Sequence, residues 1–129
     1  MAKTIDVRFD SEKDNEKGYF QIASGYISET VIFFEKENVF AVVHAKGHVA
    51  FYDANDTLLA EGDVPAEDDG KEVYTQLRCR VEENTIMLCF PICRWIDNYP
   101  HCDGEHDRWD CEIVGCHPLT FDLNSQKIV

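Results

Sequence analysis

Positive charge is scarce in this 129-residue chain, with 12 Lys and Arg against 25 Asp and Glu, a formal charge of −13. That deficit argues against direct binding to DNA, RNA or an anionic membrane surface, all of which attract cations, and favours a basic protein as partner. Long apolar stretches are missing too. No run of the sequence is long and apolar enough to read as a membrane-spanning helix. The opening residues, Met1-Ala2-Lys3-Thr4-Ile5-Asp6, lack the apolar core of a secretory signal, and the expected location is the cytoplasm. Also absent are a Gly-rich phosphate loop, a Gly-x-Ser-x-Gly elbow and a His-Glu-x-x-His helix, which removes the commonest sequence signatures of phosphoryl transfer, serine hydrolysis and zinc proteolysis. No cysteine precedes Cys79.

Hydrophobic residues make up 44% of the chain. That is enough for one core, so the expected organisation is a single acidic β-rich domain over residues 1–129. Period-two alternation and β-branched or aromatic residues dominate between short turn signals. Strands are expected at 4–9, 19–24, 30–35, 39–45, 48–52, 57–61, 73–81, 85–93, 109–116 and 119–123. Lys46-Gly47 suits a tight hairpin turn, and residues 62–72, with Pro65, two glycines and five carboxylates, read as an exposed loop. Ile27, Val31 and Phe34 also fall at helical spacing, so residues 28–36 carry a competing helix reading, which the β-branched Thr30, Val31 and Ile32 oppose. The resulting fold class is mainly β: an antiparallel β-sandwich or barrel of about ten short strands with at most one short helix.

Two windows hold −12 of the −13 charge: residues 53–72 carry −7 and residues 97–112 carry −5. Such runs are most often solvated loops. If both lie at one end of the fold, however, their fields add over a Debye length of ~8 Å and steer a basic surface towards them. Tyr99 and Trp109 are embedded among these carboxylates, the composition of an aromatic anchor within a charged rim. The candidate binding residues are therefore Glu67, Asp68, Asp69, Tyr99, Asp103, Glu105, Asp107 and Trp109.

His101, Cys102, His106, Cys111, Cys116 and His117 crowd one short window. Zn²⁺ takes four Cys or His ligands tetrahedrally, and Cys102-x₃-His106-x₄-Cys111-x₄-Cys116 has the scale of a zinc knuckle without its order. One objection is geometric: Cys111 and Cys116 differ by an odd number and face opposite ways on a regular strand, unless a bulge or turn at Gly115 intervenes. In a cytoplasmic protein the thiols are expected to be reduced, and Cys79 and Cys89, set among apolar residues, are expected to pack as small hydrophobes. A nucleophilic Cys102 is disfavoured because Asp103, Glu105 and Asp107 would raise its pKa.

The leading expectation is a non-enzymatic acidic protein whose carboxylates imitate a phosphate array and occupy a basic surface, such as that of a nucleic-acid-binding enzyme. Two settings share this physics: a phage or mobile-element inhibitor of a defence nuclease, and an immunity protein against a toxin. The alternatives are a zinc-stabilised β domain acting as an adaptor and a small Cys- or metal-dependent enzyme.

Overall fold

A computed structural model describes residues 4–15, 20–21, 29–44, 47–64, 76–97 and 109–129. Among these residues it contains ten strands and no helix: β1 (Val7–Phe9), β2 (Phe20–Gln21), β3 (Glu29–Phe34), β4 (Val39–His44), β5 (His48–Tyr52), β6 (Leu58–Asp63), β7 (Gln76–Glu82), β8 (Thr85–Asp97), β9 (Trp109–Asp122) and β10 (Lys127–Ile128). They form two five-stranded sheets, ordered β1-β3-β4-β5-β6 and β10-β9-β8-β7-β2. The mainly β, sandwich-like architecture agrees with the alternation in the sequence. Residues 29–34, where helix and strand competed, are the strand β3.

Among the described strands only β1 and β3 run parallel, and parallel neighbours need a crossover. The chain makes it through the other sheet: β2 pairs with β7 before β3 returns beside β1. Asp6 reinforces the junction, its carboxylate accepting from the Val31 amide at 2.8 Å while its own amide donates to the Val31 carbonyl. Asn15 ties the same segment to the second sheet. Its Nδ2 donates to the Val81 carbonyl at 2.8 Å and its Oδ1 accepts from the Val81 amide at 3.0 Å. One side-chain amide thus satisfies both backbone groups of β7 there.

Alternation sorts the strands into faces. Ile32, Phe34, Val39, Ala41, Val43, Val49 and Phe51 from the first sheet meet Leu77, Cys79, Val81, Ile86, Leu88, Phe90, Leu119 and Phe121 from the second. Phe51 and Phe121 stack across the interface with ring centroids 4.3 Å apart. Burying such a ring contributes roughly 1.5–3 kcal/mol, so this pair is a main weld between sheets. At one margin β6 and β10 close the core. A Cβ added to Gly62 would lie 3.0 Å from Ile128 Cδ1. Only glycine fits there without displacement.

The hairpin turns carry the left-handed residues Asn38, Gly47, Asp56, Glu83 and Gln126. Gly47, with φ of 100°, fills the role its sequence suggested. At residues 82–85 the left-handed position belongs to Glu83, although the neighbouring Asn84 is the better tolerated residue type.

The strand bounds differ from expectation at the C-terminal end. Residues 109–116 and 119–123, read as two strands, are one strand, β9, which runs through Pro118. Proline is tolerated because β10 pairs with β9 only at Phe121 and Asp122, so the missing N–H interrupts no ladder on that side. Ile96 and Asp97, expected in a loop, continue β8.

Candidate functional site

The second sheet places the chemistry-bearing residues. On its outer face, three cross-strand rows run over β7, β8 and β9: Arg78, Cys89 and Pro118; Arg80, Met87 and Thr120; Glu82, Thr85 and Asp122. Charge is therefore graded along the face, cationic at the Arg78 and Arg80 rows and acidic at the turn. Arg80 Nη2 and Glu82 Oε1 pair across that boundary, both about half exposed. Exposed ion pairs of this kind contribute little. An open depression of about 510 Å³ lined by Glu82, Glu83, Thr85, Met87 and Thr120 covers the acidic end. A smaller hollow of about 130 Å³ beside Asn15, Arg78, Arg80, Met87 and Cys89 covers the cationic end.

Cys89 is bonded to Cys116, with Cα atoms 5.6 Å apart. That separation is within the usual disulfide range. The bond corrects two expectations, that the thiols would be reduced and that Cys89 would merely pack. The reason is positional: Cys89 lies on the outer face of the sheet, whereas Cys79 on the inner face is 4% exposed and free. Burial pushes the Cys79 thiol well above its ordinary pKa, so it stays protonated. Arg78 stands directly opposite Cys89.

Among the described residues, β8 and β9 continue together beyond the start of β7 to the Asp97 and Trp109 pair, forming a two-stranded arm. The ladder has a bulge: Ile92 opposes Gly115 and Cys93 opposes Ile113, which leaves Val114 unmatched. The bulge removes the parity objection, because Cys111 and Cys116 oppose Trp95 and Pro91, two positions on the same face of β8. They remain separated along the arm. Four strand residues span about 13 Å, against Zn–S bonds of about 2.3 Å. Cys116 is moreover already bonded to Cys89, so Cys111 and Cys116 do not meet at one ion. Cys102 and His106, the other two zinc candidates, lie outside the described residues. Among the described residues no group of three or more His, Cys, Asp or Glu side chains is placed to hold a metal ion.

Of the candidate binding residues, Trp109 opens β9 opposite Asp97. Glu67, Asp68, Asp69, Tyr99, Asp103, Glu105 and Asp107 lie outside the described residues. Their points of attachment are nonetheless defined. Arg78 opposes Cys89, so by the same register β7 begins, at Gln76, level with Pro91. Residues 65–75 enter the second sheet there, and residues 98–108 join β8 to β9 at the same end. The six strand positions from Pro91 to Asp97 put the second attachment about 20 Å beyond the first.

His48, at the start of β5, has a carboxylate on each ring nitrogen: Asp63 Oδ1 at 2.8 Å from Nδ1 and Glu61 Oε2 at 3.4 Å from Nε2. The hydrogen bond to Asp63 is the main cause of a raised pKa, assisted by both negative charges. The sequence conceals this arrangement because it depends on β6, whose register sets Asp63 opposite His48.

No protein-family model matches this chain, and no curated protein or solved structure matches it closely enough to show a relationship. No helix among the described residues is long and apolar enough to cross a membrane.

Proposed function

We propose that this chain is a non-enzymatic acidic binding protein that blocks a basic, nucleic-acid-binding surface on a partner protein. One observation carries the reading: residues 65–75 and 98–108, which together hold seven of the fourteen carboxylates in the two acidic windows, attach to the same end of the second sheet. A connection of eleven residues anchored at both ends projects at most about half of its ~36 Å extended length. Two such projections together exceed the ~20 Å between the attachment points, which leaves room for the two acidic segments to present one negative surface. Such a surface imitates a phosphate array, since what a nucleic-acid site reads first is negative charge at fixed spacing. Inhibition of a defence nuclease and neutralisation of a toxin both use this physics.

The test is kinetic. Partners captured at low ionic strength are measured against the wild-type chain and a charge-reversed variant at Glu67, Asp68, Asp69, Asp103, Glu105 and Asp107. Reversal should slow association and flatten its salt dependence, while Tyr99→Ala and Trp109→Ala should chiefly speed dissociation. Unchanged affinity and unchanged salt dependence in the charge-reversed variant would reduce the acidic loops to solvated surface.

A further inference from the structure

The register of the β8–β9 arm assigns a second bond to the cysteines. Cys89 and Cys116 are diagonal neighbours: Cys89 opposes Pro118, and Cys116 lies two residues before Pro118 on β9. Cys93 and Cys111 stand in the same diagonal relation, since Cys93 opposes Ile113 and Cys111 lies two residues before it. Alternation along β8 puts Cys89, Pro91, Cys93 and Trp95 on one face, and the Val114 bulge brings Cys111 onto that face with Cys116. Proline has no N–H, so the Cys89–Pro118 and Pro91–Cys116 pairs cannot exchange both ladder bonds. They occupy the narrow, non-hydrogen-bonded positions where facing side chains start closest, and Cys93 is the next position of that class along β8. The sheet's right-handed twist then draws one of the two diagonals together, the one Cys89 and Cys116 already use.

We propose that Cys93 and Cys111 form a second cross-strand disulfide, so that the arm is stapled twice. A single four-thiolate metal site is the competing arrangement, and the spacing opposes it: Cys89 and Cys93 are about 13 Å apart along β8. The oxidant required is a small-molecule disulfide such as oxidised glutathione. The Cys111 thiolate attacks one of its sulfurs and expels a glutathione thiolate. The Cys93 thiolate then attacks Cys111 Sγ of the mixed disulfide and expels the second. Two glutathione molecules leave reduced, carrying both electrons and the two thiol protons. The bond is independent of the proposed binding function. Its effect is to fix the two strands that residues 98–108 connect.

The experiment uses the full chain equilibrated with oxidised and reduced glutathione, denatured without reductant, alkylated and digested after Arg and Lys. Wild-type chain should be labelled at Cys79 and Cys102 only. The variant Cys89→Ser with Cys116→Ser should give the same two labels, with residues 81–94 joined to residues 109–127 until reductant is added. Labelling at Cys93 and Cys111 in both proteins would overturn the proposal, as would a link from either cysteine to residues 95–108. One bound zinc per chain together with those two labels would overturn it in favour of metal. Should the double variant fail to fold, the wild-type labels decide alone.

Discussion

The two sheets share a core but protect their outer faces by different means. On the first sheet the outer face is an aromatic layer: Arg8 lies over the Phe33 ring, Phe33 stacks on Phe40 at 4.4 Å, and Tyr52 opposes Phe40. Phe40 is 2% exposed although it points away from the main core. On the second sheet the same relative positions hold Arg78, Arg80, Met87 and Thr120, and the covalent bond between Cys89 and Cys116 joins the strands. Short strands with close neighbours on both sides can be held by packing alone. The crosslink sits at the base of the β8–β9 arm, level with the start of β7, and ties together the two strands that run on beyond it.

That contrast breaks most severely at Phe40. If the aromatic layer is a second core, Phe40→Ala should cost ~3–5 kcal/mol in urea denaturation, as for a buried ring, whereas Met87→Ala on the opposite face should stay within about 0.5 kcal/mol. Equal losses at the two positions would erase the distinction. Next comes the bond itself: replacing Cys89 and Cys116 by serine should lower stability by ~3–4 kcal/mol, the range for a closed loop of this length. A loss under about 1 kcal/mol would mean the ladder holds the arm unaided. Asn15→Ala should cost ~1–3 kcal/mol by stripping Val81 of both its partners, read as faster amide exchange at Val81.

The smallest effect is a pH dependence on the first sheet. Because the folded pKa of His48 lies above 6.5, its pairing contributes stability that is fully present below pH 6.5 and lost as pH rises through the folded value. The urea midpoint of wild-type chain should therefore fall relative to that of His48→Gln between pH 6 and mildly alkaline pH. Parallel curves would show that Asp63 and Glu61 do not hold the imidazolium. The ring is 44% exposed. Solvent screening therefore keeps the effect modest.

Much of the fold was legible because its signals are local. Val39–His44 and His48–Tyr52 alternate, Gly47 turns the chain between them, and the strands follow within a residue of expectation. Residues 28–36 needed their neighbours: the spacing of Ile27, Val31 and Phe34 suits a helix, and pairing of Glu29–Phe34 with Val39–His44 on one side and Val7–Phe9 on the other decides for strand. Pro118 misled for a related reason, since proline forbids a strand only where a neighbour needs its N–H. The candidate site was legible as composition, in the acidic windows and the Cys and His cluster, but not as arrangement. Cys89 looked like a core residue because the whole 86–92 run is apolar, and nothing local says that Ile86, Leu88 and Phe90 face inward while Cys89 faces out.

The sequence by itself determined the charge and where it is concentrated, the β class, the turns and the composition of the core, since each rests on residue types and spacings of a few positions. Tertiary structure alone decided which cysteines meet, which carboxylates flank His48, and that residues 65–75 and 98–108 reach the same end of the second sheet. Those facts depend on register, where a single unmatched residue, Val114, moves Cys111 from one face of the arm to the other.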